Sequence, residues 1–331
     1  MKNTLKQNSF FFVVFVMKYL FFLLIISSLS SNEIKPLVGS IPSNLKQSSF
    51  GTAKKKLLHE VYPSHQKSIY CGCDYKIIET FVVKLKKIEV ECKEDSYQEI
   101  CYDEIQVTRK KLHVKPDLPS CGYEIKGSGL RANRIEWEHV VPAHHLAHAW
   151  DDIWKNGHKD CITAKGKKYK GRRCVQKVVP QYKYMQADMH NLYPSIGEIN
   201  GYRRDYQVAI IPGEVMEFGK CDVEIFSQKF EPAPSTRGEV ARTYFYMDQA
   251  YGKYFDLNKN LEKMLKSWAK SDPPNAWECE RNLLIANIQG NENQVVTKAC
   301  DNLQKSTKES EIESTAASID NNHFKTLENT N

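Results

Sequence analysis

The chain has 331 residues, 41% apolar and 26% charged, which is enough to bury a full core in one large domain or two small ones. A net charge of +7 is compatible with a polyanionic partner but does not by itself show one. The ten cysteines contain no CxxC pair, which disfavours paired-cysteine zinc knuckles and points to disulfides in an oxidising compartment.

The amino terminus, "MKNTLKQNSFFFVVFVMKYLFFLLIISSLSS", carries basic residues and then an apolar run interrupted by Lys18. Read from Met17 it is already a complete signal peptide, so residues 1–30 are expected to be the signal, with the true start at Met17 and cleavage after Ser30. The competing reading is an uncleaved anchor from Phe10 to Leu29, against which the mid-span lysine counts. Residues 31–47, rich in Ser, Asn and Pro, read as a linker. "SSFGTAKKKLLHEVY" (48–62) places Leu57, Leu58 and Val61 at helical spacing and predicts a first helix.

"IYCGCDY", "TFVVKLKKIEVEC", "SCGYEIKGSG" and "RIEWEHVV" predict strands, with a short acidic loop between Cys92 and Cys101. The stretch 165–177, "KGKKYKGRRCVQK", contains no acid. From Glu239 onward three helical patterns follow, and the polar tail 301–331 is expected to be disordered. Strands in the first half and helices in the second predict an α+β domain over 48–300, stapled by disulfides.

Glu138 and His139 are neighbours in a predicted strand, so their side chains should point to opposite faces. Downstream, "QADMHNLYPSIGEINGYRRDY" (186–206) holds Asn191 and Asn200 around Pro194 and Gly197. It reads as a strand ending near Asn191, a turn, and a helix from about Ser195 that carries Asn200 one turn in. A strand with a histidine, a long loop, a strand ending in asparagine and a ligand-bearing helix is the layout of a ββα-metal (His-Me) nuclease finger.

"RIEWEHVVPA", "ADMHNLYPSIGEINGYRRDY", "RGEVARTYFYM" and "AWECERN…IQGN", in that order, resemble the secreted endonuclease I family of bacteria, over about Ser48 to Cys300. The resemblance implies a secreted or periplasmic, sequence-nonspecific endonuclease that cuts DNA and RNA and leaves 5′-phosphate ends. It implies His139 as general base, Glu138 and Asn200 as ligands of Mg²⁺ (Mn²⁺ or Ca²⁺ standing in), and Asn191 as a brace. A monomer without stable membrane association after signal cleavage is expected.

Glu136, on Glu138's face by alternation, competes for the ligand role. His144, His145 and His148 offer a zinc reading, but "HHLAH" lacks the glutamate of HExxH. The family tends to carry an arginine before the cysteine matching Cys161; here His158 and Lys159 stand there, so both are phosphate candidates with Arg134, Arg203 or Arg204 and the basic stretch. That departure motivates the alternative of a secreted nucleic-acid-binding protein without catalysis. Five disulfides are expected: Cys92–Cys101, Cys161–Cys174, Cys279–Cys300, and Cys71 and Cys73 with Cys121 and Cys221 in either order.

Overall fold

The computed structural model describes residues 43–91, 101–213, 216–255 and 257–305. The expected signal peptide, the acidic loop, the Cys92–Cys101 bond and the tail beyond 305 lie outside them. Within the expected linker, Asn44 and Gln47 are buried, and the Asn44 backbone N–H donates to the Tyr251 hydroxyl, so packing already holds the chain there. Residues 294–305 form a last helix, which carries order into the start of the expected tail.

Ser49 caps helix α1 (Phe50–Lys56) by accepting from the Thr52 N–H at 3.3 Å, and the helix runs on through a π turn over Leu57–Val61. Ala53, Leu57 and Val61 recur at one-turn spacing and are wholly buried. Strands β1 (Tyr75–Val90) and β2 (Cys101–Pro116) form an antiparallel ribbon. The expected strand "TFVVKLKKIEVEC" falls within β1 up to Val90, whereas β2 was not anticipated because charges break its apolar alternation.

Two expected strands are absent. "IYCGCDY" is a turn ahead of β1, with Tyr70 and Gly72 at positive φ, and it is fixed by the bonds Cys71–Cys221 and Cys73–Cys121. "SCGYEIKGSG" begins with the end of a 3-10 turn (Leu118–Cys121), stopped by Gly122 in the left-handed region. Both cysteine-rich stretches serve as anchor points, and the two bonds settle the pairing that the sequence left open. Cys161–Cys174 and Cys279–Cys300 form as expected.

Strand β3 (Ile135–His139) pairs antiparallel with β4 (Leu192–Ile196), matching Glu138 to Tyr193 and His139 to Leu192. Short helices lie between them: α2 (Ala143–Leu146), α3 (Asp151–Asn156), α4 (Arg172–Val178) and α5 (Pro180–Met185). Helix α6 (Gly197–Arg203) follows β4 without a gap. The second strand therefore starts after Asn191 instead of ending there. Asp188 accepts from the His190 N–H and curls Met189–Asn191 into a 3-10 turn, while Pro194 is tolerated because β4 is an edge strand.

A small sheet in the order β5 (Gln207–Val208), β7 (Lys229–Glu231), β6 (Glu224–Phe226) leads into three helices, as the sequence predicts: α7 (Arg237–Tyr251), α8 (Lys259–Ser271) and α9 (Ala276–Gln289). Mixed strands and helices with four described disulfides make an α+β domain. Two apolar cores flank the β3–β4 pair. Tyr193, Val140 and Ile199 belong to one; Leu192, Met189, Leu57 and Ile285 belong to the other, with Trp137 against it.

Candidate active site

Strand alternation sends Glu138 and His139 into different surroundings. Glu138 reaches Tyr70 and Arg203 on the larger core's side, whereas the His139 ring lies 5.0 Å from the Phe50 ring on the other. Each side chain has its own set of partners.

The Nε2 of His139 lies 2.7 Å from the backbone oxygen of Gln186. A carbonyl can only accept, so the ring proton sits on Nε2 and the lone pair on Nδ1. Burial, then the charges of Arg172 and Arg203, press the imidazole pKa down to about 3. The ring is therefore neutral, with its tautomer fixed by the main chain. Asn191 braces the stretch just past it: its Oδ1 accepts from the Val141 N–H at 2.7 Å and its Nδ2 donates to the Val141 carbonyl at 3.0 Å.

Glu138 is 2% exposed. Arg203 Nη1 stands 2.8 Å from Oε1, and the Tyr70 hydroxyl donates to the same oxygen. Among the described residues Oε2 has no protein partner. Burial pushes the carboxyl up to about 7, against the downward pull of Arg203. Arg203 also donates to the carbonyls of His139 and Val140, so this wholly buried guanidinium closes the end of β3. It is thus a structural cation, unavailable to phosphate, which corrects one of the sequence candidates.

Asn200 lies one turn into α6, as expected, but its Nδ2 donates to Glu136 Oε2 at 3.0 Å and not to Glu138. Helix and strand meet in two rungs: Asn200 with Glu136, and Arg203, three residues on, with Glu138. Burial works against ionisation of Glu136, yet Arg131 and Arg134 hold its pKa below the ordinary value. Arg134 is thereby engaged in an ion pair. Gly197 fits because a Cβ there would lie 2.7 Å from the Arg131 carbonyl and 3.0 Å from the Glu136 side chain.

His158 accepts from the Asp160 N–H through Nδ1 and is turned into its own exposed loop, beside exposed Lys159. His144 stands between Asp205 (2.8 Å) and Asp151 (3.3 Å) and stacks on Trp154. No group of three or more His, Cys, Asp or Glu among the described residues could hold a metal, so the triple-histidine zinc reading gains nothing.

Two residues beside His139 were not singled out from the sequence. Arg172, inside the basic stretch, lays its guanidinium 4.6 Å from the Phe50 ring centre and donates from Nε to Gln186 Oε1 at 2.8 Å. Its Nη2 is buried and has no hydrogen-bond partner among the described residues. Gln186 therefore links the two, its carbonyl on His139 and its amide on Arg172. The acid-free composition of 165–177 was the signal; which arginine turns inward is decided by the Cys161–Cys174 bond and the start of α4.

The endonuclease I family model matches residues 43–300. An endonuclease-1 of Buchnera aphidicola subsp. Acyrthosiphon pisum (strain APS) is 41% identical over 197 residues, 59% of this chain and 72% of that protein. An extracellular deoxyribonuclease of Aeromonas hydrophila is 34% identical over 252 residues, 75% of this chain and 89% of its own. A periplasmic deoxyribonuclease of Aeromonas hydrophila is 33% identical over 268 residues, covering 80% and 92%. With so much of the domain matched, the chain belongs to the endonuclease I family and is a secreted or periplasmic endonuclease.

Proposed function

We propose that the chain is a Mg²⁺-dependent, sequence-nonspecific endonuclease that hydrolyses DNA and RNA to 5′-phosphate ends, with β3, β4 and α6 as its ββα-metal finger. The observation that carries this reading is the His139 ring: neutral, proton held on Nε2 by Gln186, and Nδ1 without a partner among the described residues. Such a ring can take a proton from water as its oxygen attacks phosphorus. The P–O3′ bond breaks as the new bond forms, solvent protonates the leaving oxygen, and the phosphate stays on the 5′ side. Arg172 is the phosphate anchor: its half-buried side chain is held at Nε by Gln186, the residue whose carbonyl orients His139, and a guanidinium fork suits phosphate oxygens, which are strong acceptors. The charge of an incoming phosphate also relieves the cationic pressure on His139.

The donors fit a hard divalent cation. Glu138 keeps one free oxygen in a buried carboxyl, and Asn200 keeps its Oδ1 because the amide donates through Nδ2. Two protein oxygens suit Mg²⁺, which retains several waters and takes others from phosphate; Mn²⁺ or Ca²⁺ could substitute. When bound there, the ion would supply Lewis-acid stabilisation of the negative charge that develops in the reaction. Glu136 positions Asn200.

The residues named above would act on phosphate oxygens and on water, which DNA and RNA share, so backbone contacts would dominate and both nucleic acids qualify. The proposed active unit is a monomer. Residues 1–30 are the proposed signal peptide, with Met17 as the start.

The test is digestion of plasmid DNA and of RNA by the purified mature protein in Mg²⁺ and in EDTA, with the product 5′ ends analysed. His139→Gln should keep the fold and the binding of DNA while losing most turnover. Wild-type turnover in His139→Gln would overturn the assignment.

A further inference from the structure

The β1–β2 ribbon spans 16 residues a strand and leaves the body of the domain with both faces largely uncovered. At roughly 3.4 Å per residue it runs about 50 Å. Its register sorts the side chains by face. One face carries Lys76, Lys84, Lys86, Arg109, Lys111 and Lys115 against a single acid, Asp103, for a net +5. The other carries Lys87 and Lys110 against Glu79, Glu89 and Glu104, for a net −1, with exposed Phe81, Val83 and Leu85 between them.

The basic face is costly as it stands. Lys76 pairs directly with Lys115, and like charges opposite each other in a ribbon destabilise it. Among the described residues none of the six cations has an ion-pair partner, whereas Lys110 on the opposite face pairs with Glu79. One end of the basic face lies near the segment that leads into β3. Lys76, Ile78 and Lys115 share a cavity of about 350 Å³ with Asn133, which directly precedes Arg134 and β3.

We propose that this face is a second seat for the sugar–phosphate backbone of a DNA duplex, extending the substrate path away from the β3–β4 site. The inference rests on the nuclease reading for the identity of the polyanion. Side chains on one face recur every ~6.8 Å along a strand, about two base-pair rises of 3.4 Å, and a two-stranded ribbon fits the major groove. The ribbon raises affinity for long duplexes and leaves the chemical step alone.

The test uses the full mature chain, a fluorescein-labelled 40-base-pair duplex and EDTA to block cutting. The variant is Lys84→Gln/Lys86→Gln/Arg109→Gln/Lys111→Gln, four exposed changes whose melting temperature should match wild type. Removing four phosphate contacts should lower the slope of log affinity against log salt by about 3.6. Between 50 and 200 mM salt the wild type should therefore lose ~150-fold more affinity than the variant. In Mg²⁺ the variant should show a raised KM and an unchanged kcat, and Lys84→Arg/Lys86→Arg/Lys111→Arg should bind like wild type.

A quadruple variant with the wild-type Kd and salt slope overturns the proposal. So does an affinity loss traced by sedimentation to dissociation of a self-associated form, which would assign the ribbon to a second copy of the chain. The two readings fail separately. If wild type binds but never cuts, the nuclease reading falls while the binding difference still decides the ribbon. If cleavage is normal and the variant binds as wild type does, only the ribbon proposal falls.

Discussion

Replacing Arg203 with methionine removes the cation facing Glu138 and the donor for two carbonyls at the end of β3. Both charged partners are essentially inaccessible to water, at 1% and 2% side-chain exposure. Stranding a buried charge in this way costs roughly 3–5 kcal/mol, and each orphaned carbonyl adds about 1–3. Overlap among these losses argues for a total near ~5 kcal/mol, comparable with the whole stability of many domains. A fall in Tm of about 10–20 °C follows for a domain of this size.

The deficit must also depend on pH. Burial already raises the Glu138 pKa to about 7 with Arg203 present, and removing Arg203 raises it further. A carboxyl whose folded pKa lies above its unfolded value near ~4.3 costs nothing once both states are protonated. The penalty grows as pH rises through the interval between the two values, by up to ~1.4 kcal/mol per unit. Urea unfolding followed by tryptophan fluorescence should therefore show a larger Arg203→Met deficit at pH 8 than at pH 5. Adding Glu138→Gln should recover part of it at pH 8 and flatten the dependence. A deficit below 1 kcal/mol, or an equal one at both pH values, refutes the view that Arg203 chiefly compensates a buried carboxylate.

Arg172→Lys keeps a charge but loses the fork and the contact with Gln186; kcat/KM on plasmid DNA should fall about 100-fold with Tm nearly unchanged. His158→Ala should stay within about two-fold of wild type, because that ring is turned into its own loop; a larger loss in the same assay would restore it as a phosphate contact. Asn191→Ala strands both backbone groups of Val141 and should cost ~2–3 kcal/mol in urea unfolding, with kcat reduced as His139 loses its brace. Cys161→Ser/Cys174→Ser opens the loop leading to Arg172, so KM should rise and stability fall by roughly 3 kcal/mol.

Motif positions were legible wherever one short segment defines them. The "EWEH" strand, the helix bearing Asn200, the three carboxy-terminal helices and two local disulfides all depend on spacing within a few residues. What escaped depends on residues far apart. Arg281, unremarkable within its helical pattern, donates to the Tyr62 and Tyr193 hydroxyls and to the carbonyls of Met189 and Leu192, fixing where β4 begins. Asp188 gathers the hydroxyls of Tyr246 and Tyr251 and the Gln289 amide, and so bends the segment that reads as strand. β2 was hidden by its charges, since a ribbon open on both faces has no buried side to impose alternation.

The adjacency of Glu138 and His139 shows why a local pattern locates a site without completing it. Alternation dictates that the two diverge, and the two cores on either side of β3–β4 give each direction a different environment. What each side chain then becomes is set by segments the strand cannot specify. Gln186 and Arg172 arrive from the loop between the strands and settle the tautomer and charge of the imidazole. Arg203 arrives from α6 and Tyr70 from the turn pinned by Cys71 and Cys73, and together they leave Glu138 one occupied oxygen and one free. The disulfides thus act on the chemistry through position: one holds the arginine beside the base, and two hold the tyrosine beside the carboxylate.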